Sequence, residues 1–290
     1  PEVMEVIAEM RDVLDSYPGD RVLIGELYHP IEQLVFYYGQ NGRGVHLPFN
    51  FNLMWLEWKA WGVLKLIELY EKYLPAGAWP SWVLGNHDQP RVATRLGPQQ
   101  ARLGMMLILT LRGTPTLYQG EELCLENSLI PFDEIQDPFA QAGKGQGRDG
   151  ERTPMPWDGS PHYGFSTHQP WLRMGSDSPL RHVEAQEADP QSMLTMTRAL
   201  LALRQQEKAL NVGEWRSLYA DDHVLAYERF DAQDRFIIVL NFTHQTVLAE
   251  PPPYPCRLVL SSYLDEGAAQ TDLADKIVLR PDEGCIFKAL

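Results

Sequence analysis

RVLIGEL, at residues 21–27, indicates the fold more clearly than any other stretch of this sequence. The run is short and apolar, ends in Gly-Glu and follows a Pro-Gly-Asp break, which is typical of a parallel strand buried between helices. Three similar runs follow, at 45–51, 82–85 and 113–118. Helices are predicted beside these runs, at 2–15, 53–73, 98–111 and 190–206.

Alternation of strands and helices, with polar residues where the strands end, predicts an α/β sheet or barrel. Four such units are half of a (β/α)8 TIM barrel, whose active site is built at the carboxyl ends of its strands. We assign residues 1–210 to this half, with a long active-site loop at about 120–190. Residues 211–290 alternate in short segments and predict a small antiparallel β-sandwich, with strands at 214–219, 224–230, 236–242, 257–262, 276–279 and 285–288.

The amino-acid composition limits the classes of molecule that this chain can bind. There are 25 basic and 39 acidic residues, a net charge of −14, which disfavours nucleic acid because its phosphates would be repelled. No apolar stretch is long enough to cross a membrane. Three cysteines, an odd number without metal-ligand spacing, favour a reducing compartment and hence the cytoplasm. We expect a small neutral or cationic substrate and neither metal nor cofactor.

Three places carry groups suited to chemistry. Glu26 follows an apolar strand and a glycine, where poor solvation would raise its pKa and suit a general acid, although a surface or helix-capping role is also open. Asn86-His87-Asp88 ends the third strand and could line a barrel mouth, hold a metal, or be an ordinary loop. Arg148 and Arg152 lie in the long loop and could clamp hydroxyl groups or only be solvated there.

The order of four motifs resembles the α-amylase superfamily, glycoside hydrolase family 13, and within it the α-glucosidase and oligo-1,6-glucosidase branch. The motifs are LIGE at 23–26, VLGNHDQPR at 83–91, GTPTLYQGEE at 113–122 and RDGERTPMPWD at 148–158. By this resemblance the barrel half is the second one and Glu26 is the acid/base of the fifth strand. Asp88 is then the third carboxylate of the site, and His87 and Arg148 bind the same sugar.

The resemblance also implies roles for four residues around that site. It implies that Arg152 braces the loop and that Arg91 pairs with a carboxylate. Glu121 and Glu122 match the motif of the eighth strand, in which structural roles and roles at the rim of the site are hard to separate.

The nucleophile of this family lies in a GxRxD motif on the fourth strand, and no such motif occurs in the 290 residues. We therefore expect a fragment of an α-glucosidase that releases terminal α-linked glucose only with the missing barrel half. Alone, it should be inactive and prone to aggregate. The alternatives are a trehalose synthase-type isomerase or transglucosylase, a non-catalytic amylase-like protein such as a transporter heavy chain, and a sugar-binding fragment.

Overall fold

The computed structural model describes residues 2–143, 147–252, 254–265 and 276–290. Its α-helices are α1 (Glu2–Asp15), α2 (Ile31–Leu34), α3 (Asn52–Trp55), α4 (Ala60–Tyr73), α5 (Val92–Leu96), α6 (Pro98–Thr110), α7 (Pro138–Gln141), α8 (Ser178–Arg181), α9 (Val183–Ala188), α10 (Met193–Gln206) and α11 (Lys208–Asn211). Its strands are β1 (Ile24–Gly25), β2 (Leu47–Pro48), β3 (Ser81–Val83), β4 (Thr114–Thr116), β5 (Glu214–Ala220), β6 (Val224–Phe230), β7 (Arg235–Asn241), β8 (Val247–Ala249), β9 (Cys256–Ser261), β10 (Ile277–Leu279) and β11 (Gly284–Ala289). Short 3-10 helices occupy Val35–Tyr38, Gln40–Gly42, Glu121–Leu123, Phe132–Glu134, Asp149–Glu151 and Pro161–Gly164.

The four predicted strands of the first part lie where the apolar runs place them, but the prediction that the first strand is buried between helices is wrong, because Val22 and Ile24 are exposed. They form two parallel pairs, β1 with β2 and β3 with β4. Each strand has only two or three residues, so the prediction of longer strands is wrong. The predicted helix at 53–73 is also wrong in detail, because Leu56 takes an extended conformation (φ −73°, ψ 140°) and separates α3 from α4.

The second part contains the predicted antiparallel sheet, in the order β5-β6-β7-β11-β9. One face packs on a small sheet of β8 and β10, and β8 was not predicted. Side chains alternate between the two faces, as strand geometry requires. Val239 lies in the core shared with β8 and β10, whereas Ile238 and Leu240 belong to the core that contains α4, α6 and α10.

Two buried arginines, Arg229 of β6 and Arg204 of α10, join their elements to the end of α6. Arg229 donates to the carbonyl oxygens of Thr110 (2.6 Å) and Gly213 (3.0 Å), and Arg204 to those of Leu109 (2.8 Å) and Leu111 (3.0 Å). The carbonyls of Leu109, Thr110 and Leu111 lie at the C-terminal end of α6, where positive charge is favourable. Burial lowers the pKa of Arg229 to about 9 and that of Arg204 to about 10. One hydrophobic core contains residues from both sides of residue 210, among them Leu107 and Ile238, so the division into two domains there stays a prediction.

Helix α1 contacts the rest of the chain with one side only. Arg11 donates to the carbonyl oxygens of Gly42 (2.9 Å) and Gly44 (3.1 Å). Apolar side chains on its other side are exposed, among them Val6 and Val13. An exposed apolar stripe of this kind agrees with the prediction that the chain aggregates, which remains to be tested.

Within the described ranges, no helix is both long enough and apolar enough to cross a bilayer. Cys124, Cys256 and Cys285 are buried and form no disulfide with one another. The cytoplasmic location stays a prediction.

Candidate active site

Glu26 stands directly after β1, as the sequence predicts, but its surroundings differ from the prediction. Its side chain is exposed, so the expectation of a poorly solvated carboxylate is wrong in this structure. The reason is local: β1 ends at Gly25, and the described elements leave that side of the strand end uncovered. The hydroxyl of Tyr28 donates to Oε1 of Glu26 over 3.4 Å, which is long for a bond of this kind.

Tyr28 connects Glu26 to the end of β3 and was not predicted. Its hydroxyl accepts a hydrogen bond from Nδ2 of Asn86 at 2.9 Å. Its ring stacks on Phe51, with 4.5 Å between the ring centroids. Burial raises the pKa of Tyr28, the hydrogen bond from Asn86 lowers it, and the nearby charges of Glu26 and Asp88 raise it further. No local pattern marks this residue, because its partner Asn86 is far away in sequence.

Asn86, His87 and Asp88 form the turn after β3. The side-chain oxygen of Asn86 accepts the backbone N–H of Asp88 at 3.0 Å, which fixes the turn. Nε2 of His87 lies 3.5 Å from Oδ1 of Asp88. The imidazole is half exposed, so it is accessible to a ligand that binds at Asp88.

Asp88, after the end of β3, contacts the long loop. Its Oδ1 accepts one N–H from Arg148 and one from Arg152, each at 2.8 Å. Arg152 also donates to the backbone oxygen of His87 at 2.8 Å, and it thereby fastens the loop to this turn. The structure thus brings His87, Asp88 and Arg148 together, whereas Glu26 is connected to them through Tyr28 and Asn86.

Arg148 is held by a second carboxylate that the sequence did not reveal. Nε of Arg148 lies 2.9 Å from Oδ2 of Asp137, and Nη2 lies 3.0 Å from Oδ1, a bidentate pair. The side chain of Asp137 is fully buried and also accepts the backbone N–H groups of Phe139 and Arg148. These hydrogen bonds, led by those from the Arg148 side chain, hold the pKa of Asp137 well below its usual range. The Asp-Pro pair that begins α7 is a helix-start signal and could have marked Asp137 as an N-cap, but not as the partner of Arg148.

Arg91 and Glu121 lie buried beneath the site. Arg91 donates to the backbone oxygen of Gln119 at 2.6 Å and covers the ring of Tyr118. It makes no ion pair within the described residues, so the expected pairing with a carboxylate is wrong there. Glu121 accepts the N–H of Tyr118 at 3.0 Å through Oε2, while its buried Oε1 has no hydrogen-bond partner in the described part of the chain. Burial raises the pKa of Glu121 to about 7.

Parallel strands with Glu26, His87 and Asp88 after their carboxyl ends, and two loop arginines on Asp88, define an α/β protein with a candidate site at this edge. The family described as "Alpha amylase, catalytic domain" matches residues 1–213. The chain belongs to this family, glycoside hydrolase family 13.

Known relatives include enzymes and a transporter subunit. The chain is 34% identical over 253 residues to an α-glucosidase of Culex pipiens, and this alignment covers 83% of this chain and 42% of that protein. It is 32% identical over 300 residues to the amino acid transporter heavy chain SLC3A1 of Homo sapiens, and this alignment covers 98% of this chain and 42% of that protein. The solved α-glucosyl transfer enzyme XgtA superposes with a TM-score of 0.90 at 29% identity, over 100% of this chain and 55% of its own. The chain thus spans about half the length of the relatives it matches.

Proposed function

We propose that the chain carries the proton-donating and glucose-binding part of a retaining α-glucosidase that releases terminal α-linked glucose from oligosaccharides. The observation that carries this proposal is the anchored Asp88, whose Oδ1 is held by Arg148 and Arg152 at the end of β3. A carboxylate held in this way binds sugar hydroxyl groups with its remaining acceptor positions.

In this proposal Asp88 binds the sugar and is not the nucleophile, because its Oδ1 already accepts hydrogen bonds from two arginines. Arg148 has five N–H groups, of which its side-chain bonds to Asp88 and Asp137 use three, so two remain for hydroxyl oxygens of glucose. His87, exposed beside Asp88, supplies a further donor to the same sugar.

Glu26 is the proposed general acid. A retaining glycosidase places two carboxyl groups about 5–5.5 Å apart, one to protonate the leaving oxygen and one to attack the anomeric carbon. The exposed position of Glu26 at the end of β1 leaves it accessible to a leaving group. No motif in the 290 residues matches the attacking carboxylate. We therefore propose that this carboxylate comes from polypeptide outside the 290 residues, and that these residues alone are inactive.

Azide tests this assignment, because it can replace an absent nucleophile. With maltose and azide, the azide attacks the anomeric carbon, the C–O bond breaks and Glu26 transfers its proton to the leaving oxygen, which yields glucose and β-glucosyl azide. We expect the wild-type chain to form β-glucosyl azide and Glu26→Gln to form it at least about a hundredfold more slowly, the usual contribution of a general acid.

Without azide, neither protein should release p-nitrophenol from p-nitrophenyl α-glucoside above the rate in buffer. Release by the wild type above the Glu26→Gln rate would contradict the need for an outside carboxylate. No β-glucosyl azide from the wild type would contradict the proposed function as a whole.

Glucosyl transfer is the second candidate, because XgtA, described as an α-glucosyl transfer enzyme, superposes over the whole chain. With an excess of a second sugar, a hydroxyl group of that sugar would then attack C1 of β-glucosyl azide, the C–N bond would break to release azide, and Glu26 as carboxylate would take the hydroxyl proton, which yields an α-linked disaccharide. The likeness to the transporter heavy chain keeps a non-catalytic role as the remaining alternative, and it predicts no difference between the wild type and Glu26→Gln.

A further inference from the structure

We propose that Asp137 is the positioning residue of this site: it fixes the guanidinium group of Arg148 so that Nη1 reaches Asp88 and the remaining N–H groups face the ligand. This inference rests on the proposed function for its link to glucose. Its geometric part depends only on the contacts of Asp137, Arg148 and Asp88.

The contacts of Asp137 determine the orientation of Arg148. Its two carboxylate oxygens accept Nε and Nη2, so they hold one whole edge of the planar guanidinium. A planar group held along one edge cannot rotate, and its opposite side must then point in a defined direction. That side carries Nη1, which lies 2.8 Å from Oδ1 of Asp88.

Asp137 is itself fixed more firmly than Arg148. Its side chain is fully buried, whereas that of Arg148 is one-third exposed. Oδ1 accepts the N–H of Phe139 at 3.0 Å and Oδ2 the backbone N–H of Arg148 at 2.9 Å. The backbone N–H of Asp137 is in turn bound by Oδ2 of Asp149 at 2.9 Å.

Asp88 is the weaker of the two partners of Arg148. It offers a single oxygen, which it shares with Arg152, and it is one-quarter exposed. We therefore expect loss of Asp137 to release Arg148, and loss of Asp88 to leave Arg148 in place. A residue with a purely structural role in the loop would not produce this asymmetry.

Asp149 provides the matched control. It is a buried aspartate of the same loop, and its Oδ2 accepts the N–H groups of Gln136 (2.6 Å) and Asp137 (2.9 Å). Asp149→Asn removes one buried negative charge from the loop, as Asp137→Asn does, without removing a partner of the Arg148 side chain.

The test follows the Nε–Hε resonance of Arg148 by nuclear magnetic resonance in the 290-residue chain, and Arg148→Lys, which lacks this group, assigns it. In Asp137→Asn we expect its hydrogen exchange to accelerate by about tenfold or more, because a hydrogen bond to a charged group is lost. In Asp88→Asn and in Asp149→Asn the exchange rate should stay within about twofold of the wild type. Should Asp137→Asn fail to fold, Asp137→Ser retains an acceptor for the N–H of Phe139 and is expected to release Arg148 in the same way.

The proposal would be overturned if the Nε–Hε group of Arg148 stayed protected from exchange in Asp137→Asn. It would also be overturned if this group exchanged as fast in Asp88→Asn as in Asp137→Asn. The azide reaction adds a functional readout: kcat/KM should fall equally in Asp137→Asn, in Arg148→Lys and in the double variant, because Asp137 acts through Arg148. A further fall in the double variant would show that Asp137 acts by another route. If the wild type forms no β-glucosyl azide, the proposed function fails while the exchange rates still decide the role of Asp137.

Discussion

Glu121→Gln tests whether the carboxyl group beneath the site is neutral in the folded protein. Glu121 is buried, and its Oε1 has no partner among the described residues. Arg95 and Arg91 lie near enough to lower its pKa, as does the N–H of Tyr118, but burial outweighs them and Glu122 adds to the rise. Glutamine has the same shape and stays neutral at every pH, so it mimics the protonated acid.

The size of the effect follows from the pKa. The folded protein binds this proton with a pKa of about 7, against 4.5 for the ordinary side chain. Since the folded pKa is raised, the stabilising contribution is complete below about pH 4.5 and is lost as the pH rises through about 7. Between about pH 5 and about pH 8, the free energy of unfolding of the wild type should therefore fall by about 2.5 kcal/mol relative to Glu121→Gln.

Urea denaturation of both proteins across this pH range measures the difference directly. Every other titrating group is common to the two proteins, so the difference curve isolates Glu121. A flat curve would mean that Glu121 keeps the same charge in both the folded and unfolded states. A curve with the opposite slope would mean that the folded protein stabilises the carboxylate through an ion pair, and either result would refute the reasoning.

Two further substitutions probe packing. Gly85→Ala places a Cβ 2.4 Å from Oε1 of Glu121 and should lower the free energy of unfolding by about 1–3 kcal/mol, whereas Gly159→Ala, with no atom within 4 Å of the new Cβ, serves as the matched control in the same thermal melts. Arg229→Ala leaves the carbonyl oxygens of Thr110 and Gly213 without their donor and opens a cavity, at a loss of about 3–5 kcal/mol by urea denaturation. The exposed pair of Arg198 with Glu187 is the comparison, since Arg198→Ala should cost less than about 1 kcal/mol.

The positions of the strands could be predicted because each coincides with a short apolar run, although the run RVLIGEL is not buried among the described residues, where Val22 and Ile24 are exposed. Their lengths could not, since the number of paired residues depends on the neighbouring strand: β1 pairs only at Ile24 and Gly25. The break at Leu56 was missed because apolar residues continue through it without a Gly or Pro. β8 was missed because the strand has only three residues and lies between a turn and a proline-rich segment.

The order of the motifs along the chain was enough to predict four residues of the candidate site. Glu26, His87, Asp88 and Arg148 stand at strand ends or in the loop motif, and their roles stay proposals. Asp137 and Tyr28 escaped because each is defined by a contact with a residue distant in sequence, Arg148 and Asn86 respectively. Spacing along the chain carries no record of such contacts, and only the folded structure supplies them.

The hydrogen bond between Tyr28 and Asn86 bears on how this site could evolve. Glu26 follows β1 of the β1–β2 pair and Asp88 follows β3 of the β3–β4 pair, and no backbone ladder joins the two pairs in the described residues. Two side chains, and not a strand register, therefore help to set the distance between Glu26, the proposed proton donor, and Asp88, the proposed sugar-binding carboxylate. A register can change only through coordinated substitutions, but single mutations at Tyr28 or Asn86 could retune this distance, which leaves the site open to gradual selection for new leaving groups.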